Sequence, residues 1–231
     1  MFKKIYKEIA TLSYKKIIKI SKYFSRRKLY PFLLKDLNTI QSKNKNKRVI
    51  FVGAGGEAED FLRNNTNLSF TTIDIDSARD PDLVMDVSNM KFNDSSYDLI
   101  IMLEVLEHTI NPKKAINECY RVLKNKGELI LSTPFILGIH DSPNDFQRFT
   151  KYGLSSFLKE FNDIKIYSRN GFFESIIVLL LRYWTAKNRL ASKIGILFIF
   201  IFFPLGFIAI LLDKLFANDD VTTGYYVKAT K

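Results

Sequence analysis

The chain has 231 residues, 47% of them hydrophobic, and a formal net charge of +11, which suits one domain with a sizeable core and some additions. One cysteine excludes an intramolecular disulfide and fits a reducing cytoplasm, and two histidines beside it offer no zinc cluster, so no metal ligand is assigned. The charge is uneven: residues 1–48 hold 15 Lys and Arg against 2 Asp and Glu, a net of +13, while residues 49–231 hold 20 against 22, a net of −2. A basic helical segment, 1–47, is therefore set apart from a nearly neutral domain, 48–231.

Residues 1–28 read as a helix with Phe2, Ile5, Ile9 and Leu12 on one side, whose period slips near Lys15–Lys16 and resumes with Ile17, Ile20 and Phe24. Lysines interrupt the stretch throughout, so no secretory leader is expected. A basic amphipathic helix suits an anionic membrane surface. A helix capping a sheet is the alternative, and a cationic arm for nucleic acid ranks last. Pro31 opens a second short helix, Tyr30 to Ile40, and residues 42–47 form a polar linker.

Val49-Ile50-Phe51-Val52 stops at Gly53-Ala54-Gly55-Gly56, which predicts a buried parallel strand, a tight turn and a helix from about Glu57 to Leu62. Glycines let the backbone approach a ligand, and the helix start points free N–H groups at it. Asp74, 21 positions after Gly53, ends the run Phe70-Thr71-Thr72-Ile73 with Ile75 beside it, where a carboxylate can accept both ribose hydroxyls of an adenosine. On these residues alone a nicotinamide dinucleotide fits equally well. Leu83-Val84-Met85 is a third strand ending in Asp86, and Pro81 leaves only a loop between Asp76 and Asp82. Tyr97 to Leu103 is a fourth, running into Glu104-Val105-Leu106-Glu107-His108. Pro112 opens a helix from about Lys113 to Lys124, with Ala115, Ile116, Cys119, Val122 and Leu123 as a core stripe, and Gly127 precedes strand five, Glu128 to Ser132.

The cluster His140-Asp141-Ser142-Pro143-Asn144-Asp145-Phe146-Gln147-Arg148-Phe149-Thr150 follows strand five, so it lies at the same edge of the sheet as the other loops. His140, Asp145 and Arg148 are read there as substrate-binding residues of a lid. The alternative is a local network in which Asp145 pairs with Arg148 to fold the loop. Tyr152 to Phe161 reads as a helix, Ile164 to Ser168 as strand six and Gly224 to Ala229 as a last strand, with a hydrophobic insertion over about 172–217. Ile194 to Leu212 carries no charge over 19 residues, the length of a membrane span. A single crossing would strand the final β segment on the wrong side, so a break at Pro204-Leu205-Gly206 and a helical hairpin in one leaflet are expected, with Lys187, Arg189, Lys193 and Lys214 at its rim. An apolar dimer surface is the alternative, which leaves a homo-oligomer open.

The segments VGAGG, TIDID, DVSNMKFNDSSYDLI, EVLEH and ECYRVLKNKGELILSTP resemble the class I S-adenosylmethionine-dependent methyltransferases, in particular the type 11 group, over about residues 48–170 plus the last strand. The resemblance implies an α/β Rossmann-like seven-stranded, mostly parallel sheet with an antiparallel last strand, N-terminal helices and a helical insertion between strands six and seven. It implies S-adenosylmethionine held by Gly53, Ala54, Gly55, Asp74 and Ile75, with Asp86 and the Val87 N–H at the adenine and Glu104 opening the loop that faces the methyl group. Asp86 can equally be an N-cap for the turn Ser88–Met90. Helices before the first strand, residues 1–41, close over the substrate in such enzymes. Two positions depart from the pattern: Phe51 replaces the usual acid before the first glycine, and Glu57 the third glycine, from where Glu57 can meet the methionine ammonium. The signature H…P-x-D-x-x-R-x-T, here His140, Pro143, Asp145, Arg148 and Thr150, is similar to methyltransferases linked with bacterial polysaccharide assembly.

The catalytic candidates are His140, His108 and Asp145, of which His140 is preferred as general base. The expected activity is methylation of a saccharide or lipid-linked saccharide hydroxyl at the inner face of the cell membrane. A lipid or quinone-type small-molecule acceptor, and a non-catalytic scaffold of the same fold, are the alternatives.

Overall fold

The computed structural model describes residues 17–43, 46–183, 189–218 and 220–231, with side chains described outside 43 and 189–199. Among the described residues two compact units emerge, one within residues 31–135, 139–167 and 225–231, the other within residues 17–30, 136–138 and 168–224.

The larger unit is built on the sheet. Helix α1 (Leu29–Lys43) precedes β1 (Val49–Val52), α2 (Glu57–Asn65), β2 (Thr71–Asp74), β3 (Leu83–Val84), β4 (Tyr97–Leu103), α3 (Pro112–Val122), β5 (Leu123–Pro134), α4 (Lys151–Phe157), β6 (Asn162–Ser168) and, at the end of the chain, β7 (Gly224–Thr230). The seven strands lie in the order β3-β2-β1-β4-β5-β7-β6. Pairings from β3 to β5 are parallel, and the late strands bring the antiparallel edge. The expected α/β architecture is therefore observed, with the final strand completing the sheet. β1 is buried at all four positions, which is why it reads as an unbroken apolar run.

Several boundaries differ. β5 starts at Leu123 because this residue leaves the helix and pairs with Tyr97, whereas Leu99 pairs with Glu128; the register shift is absorbed where Lys126 takes a φ of 64°. Leucine suits the helix stripe as well as the strand, so the sequence placed it on the wrong side. Helix α4 is shorter than expected, capped by the Thr150 hydroxyl, which accepts the Gly153 N–H at 3.0 Å. The loop between β2 and β3 holds only a 3-10 turn, Ser77–Arg79. Cys119 is a core residue of α3, and burial pushes its thiol up to about 12. Helix α1 buries Leu33, Leu37 and Ile40. Its Asp36 accepts the Tyr226 hydroxyl at 2.7 Å and lies 3.5 Å from Lys228 Nζ on β7, so this helix covers the sheet.

The smaller unit comprises a helical stretch over residues 17–25, α5 (Phe172–Tyr183) and α6 (Arg189–Leu215). The first sixteen residues, and with them the expected slip at Lys15–Lys16, lie outside the described residues. Ile17 and Phe24 pack with Ile177, Val178, Leu181 and Ala209. The anticipated break at Pro204–Gly206 does not occur: α6 is one helix of 27 residues with Pro204 inside it, about 40 Å long at 1.5 Å per residue. The proline removes one backbone donor, but packing holds the helix through this point. A Cβ on Gly206 would stand inside the Phe24 ring, so the small residue marks a docking point where the sequence suggested a turn. The two helices run antiparallel, since Asp213 near the end of α6 accepts the Phe173 and Glu174 N–H groups at 2.9 Å each at the start of α5. Lys187 and residues 189–199, hence most of the expected polar rim, are outside the side chains described. Among the described residues no helix is long and apolar enough to cross a membrane.

Candidate active site

The site is assembled at the carboxyl ends of β1, β2 and β4. Gly53 and Gly55 take φ values of 97° and 67°, a region that side chains disfavour. A Cβ on Gly53 would lie 2.6 Å from Val105 Cγ2, and one on Gly55 2.8 Å from the Arg79 carbonyl oxygen. Both glycines are thus demanded by conformation and by space, and the loop remains open as a cradle for an adenosyl group. The Gly53 N–H donates to the Ile73 carbonyl at 2.9 Å, tying this bend to the tip of β2.

Asp74 sits at that tip. Its Oδ1 accepts the Asp76 N–H at 2.9 Å, and Oδ2 lies 3.9 Å from Arg79 Nε. Arg79 in turn reaches the Ala54 carbonyl at 3.4 Å. The carboxylate, the arginine and the glycine bend therefore share one neighbourhood, as ribose recognition requires. Ile75 is 72% exposed beside it, available to cover a flat ring. Asp86 accepts the Ser88 N–H at 2.7 Å, so it caps the turn Val87–Asn89, and Val87 is buried.

The two departures from the family pattern resolve differently. Phe51 is a core residue whose ring lies 5.5 Å from that of Phe70. Glu57 opens α2 and is exposed. The acid that organises the loop is Glu59, which the sequence reading missed: its Oε2 accepts the Gly55 N–H at 2.8 Å while Oε1 takes Arg63 Nε at 2.7 Å. A carboxylate in the first helical turn after the glycines is the signal that could have found it.

Beyond β4 the chain turns sharply. Glu104 holds a φ of 58°, costly for a non-glycine residue. It is kept there by its N–H donating to the Ser132 carbonyl at 2.9 Å and by Oε1 accepting the Ser132 hydroxyl at 2.8 Å. A 3-10 turn, Leu106–His108, follows. Glu107 is fully buried and its Oε2 accepts the Thr133 hydroxyl at 3.2 Å. Its Oε1 faces two imidazoles, His108 Nε2 and His140 Nε2, each at 3.8 Å. The rings meet edge to face with centroids 5.1 Å apart. Both expected histidines are thereby brought together, and Glu107, not anticipated as a site residue, joins them.

The lid is folded by its own charges. Arg148 makes a two-pronged contact to Asp145, at 2.5 and 2.6 Å, and Asp145 Oδ2 also accepts the His140 N–H at 2.8 Å. Burial alone would raise the Asp145 carboxyl, but the Arg148 hydrogen bonds and the His140 N–H outweigh it and hold the group down to about 2. Arg148 is raised by the same pairing. The local-network alternative therefore describes this pair, and Asp145 is too acidic to serve as a base at neutrality. Its Oδ2 lies 3.3 Å from His140 Nδ1, which gives it a positioning role. The loop is pinned back on the β4 turn by the Phe146 N–H donating to the Glu107 carbonyl at 3.0 Å, and its end is anchored by buried Phe149.

Comparison with known proteins agrees with this geometry. Residues 52–131 match the family model described as a methyltransferase domain. An uncharacterized protein of Methanocaldococcus jannaschii is 27% identical over 187 residues, covering 70% of this chain and 80% of that protein. A SAM-dependent methyltransferase of Archaeoglobus fulgidus is similar in fold, with a TM-score of 0.56 at 15% identity, covering 91% of this chain and 97% of that one. A phosphoethanolamine N-methyltransferase of Haemonchus contortus, solved with S-adenosyl-L-methionine, gives a TM-score of 0.54 at 16% identity over 85% of this chain; the chain spans about half, 52%, of that enzyme. The methyltransferase domain matched over residues 52–131 supports S-adenosylmethionine-dependent methyl transfer by this chain, and the glycine bend with the acid at the tip of β2 fits that cofactor.

Proposed function

We propose that the chain methylates a hydroxyl of a saccharide or lipid-linked saccharide at the cytoplasmic face of an anionic membrane. The observation that carries this reading is the convergence of two imidazoles on the Glu107 carboxylate, in the 3-10 turn that follows β4. A neutral hydroxyl needs help in losing its proton, and such a cluster supplies it.

S-adenosylmethionine, held by Gly53, Gly55 and Asp74, supplies a methyl group on a positively charged sulfur for in-line displacement. The chain's own residues orient and deprotonate the acceptor. Asp145 beside His140 Nδ1 favours the tautomer with its proton there, which leaves Nε2 to accept the proton of the hydroxyl. His140→Ala is expected to lower turnover by about 10²-fold while S-adenosylhomocysteine affinity, read by calorimetry, stays within about twofold; unchanged turnover removes His140 from the reaction.

Membrane association is supported by the smaller unit, where Phe200, Ile201, Ile208 and Leu211 of α6 are exposed, and by the net +13 of residues 1–48. Flotation with vesicles containing anionic lipid tests it: wild-type protein should float, and Phe200→Ser with Leu211→Ser should stay at the bottom of the gradient. A wild type that does not float, or floats equally as the double variant, refutes membrane docking through this face. A second reading, a lipid or quinone-type acceptor, draws on exposed Ile110, Ile139 and Phe146 around the lid. Parallel assays with nucleotide sugars, polyprenyl-linked sugars and hydroquinones separate the two.

A further inference from the structure

We infer that Glu107, His108 and His140 form a binding site for one divalent transition-metal ion. One ligand atom from each of these residues lies within 4.8 Å of the other two. The Glu107 Oε1 to Nε2 separations are both 3.8 Å. Two ligands bound at about 2.1 Å cannot be more than about 4.2 Å apart, so each of these pairs already stands within reach of one shared ion.

The surroundings are those of ligands held for a metal. His108 Nδ1 lies 2.6 Å from the Asn144 carbonyl oxygen, an acceptor only, so the proton resides on Nδ1 and the lone pair on Nε2 faces Glu107. A carboxylate also stands near His140, its Nδ1 lying 3.3 Å from Asp145 Oδ2. A hydrogen-bond acceptor behind a ligating imidazole fixes tautomer and ring angle, as the Asn144 carbonyl does for His108. Glu107 is treated alike: Thr133 occupies Oε2, and Oε1 is turned toward the rings. Arg148, whose cation is stabilised first by Asp145 and then by Glu107 and Glu104, makes its two-pronged contact with Asp145.

Two imidazoles and one carboxylate suit zinc, iron, cobalt or manganese, and three protein ligands leave at least one position open, the arrangement of a catalytic site. This open position takes the acceptor oxygen, a role that rests on the methyl-transfer reading; the ion binding itself does not. In the ion-loaded protein His140 Nε2 is a ligand, so the ion takes over from it the task of making the hydroxyl acidic enough to lose its proton. The hydroxyl proton leaves to solvent water, the oxygen forms its bond to the methyl carbon, and the carbon–sulfur bond breaks with its electron pair staying on sulfur.

The test uses full-length protein stripped with EDTA and titrated with Co²⁺, followed by visible absorption, and with Zn²⁺ by calorimetry. One ion per chain is expected, with a d–d band, at a micromolar or lower Kd. Glu107→Gln and His140→Ala should each weaken binding at least 100-fold while retaining S-adenosylhomocysteine binding, which certifies the fold. His140 is on the lid and removable without disturbing the core, so it serves if Glu107→Gln fails to fold. No saturable Co²⁺ or Zn²⁺ binding at millimolar concentration, or binding untouched by His140→Ala, overturns the site. Methyl transfer by EDTA-stripped protein without Co²⁺ binding overturns the metal and leaves the acceptor reading standing; Co²⁺ binding without turnover on any hydroxyl acceptor leaves the site and removes the acceptor reading.

Discussion

Replacing Gly55 by alanine should damage the cofactor cradle, and the same change one residue later should not. At Gly55 the backbone sits at a φ of 67°, which costs an alanine about 1–2 kcal/mol. The new Cβ would also stand 2.8 Å from the Arg79 carbonyl oxygen and 3.2 Å from Arg79 Cβ. Backbone must yield there, at about 1–3 kcal/mol. Together these predict a loss of about 2–5 kcal/mol, or a fall in Tm of about 4–20 °C for a chain of this size. Displacing Arg79 also disturbs the residue that lies between Asp74 and the glycine bend, so S-adenosylhomocysteine affinity should drop at least about tenfold. Gly56, by contrast, has an extended φ of −127°, and nothing lies within 4 Å of the place its added methyl group would take. Gly56→Ala should be neutral or stabilise by about 0.4–1 kcal/mol through the unfolded chain. Thermal melts and calorimetry on both variants decide the matter, and equal behaviour of the two would falsify the argument from conformation and space.

Two further substitutions probe buried charge. Asp145, held at about 2, contributes about 2 kcal/mol of stability that is present above the ordinary carboxylate range and lost as pH falls from about 4 toward 2. Arg148→Met should forfeit this contribution already at neutral pH and flatten the acid limb of the urea-midpoint profile; a limb as steep as that of the wild type contradicts the assignment. In the smaller unit, Arg27 meets the fully buried Glu174 at 2.6 and 2.7 Å. Glu174→Ala should destabilise that unit by about 3 kcal/mol, read as faster amide exchange in α5, and unaltered exchange there would show the pair to be dispensable.

What the sequence revealed was mostly what neighbours in the chain decide. Strand β1 with its glycine bend, Asp74 at the tip of β2, and the short connection enforced by Pro81 all follow from local periodicity and turn chemistry. Glu59 escaped because its partner, the Gly55 N–H, becomes available only once the bend and α2 are formed. The Glu107, His108 and His140 group escaped for a different reason. Counting histidines and cysteines leaves out carboxylates, and the loop that returns His140 to the β4 turn is shaped by Arg148 and Asp145, a pairing whose outcome periodicity cannot express. Pro204 and Gly206 misled because their usual meaning is local, whereas Phe24, some 180 positions away in sequence, decides that the helix continues.

The close approach of Gly171 and Asp213 also bears on the helical excursion between β6 and β7. A Cβ at Gly171 would lie 2.5 Å from the Asp213 carboxyl carbon, so the excursion through α5 and α6 departs and returns at practically one point. A segment with coincident ends can be lengthened, shortened or excised while the strands flanking it keep their places, which makes this pair a module whose size can vary independently of the methyl-transfer chemistry.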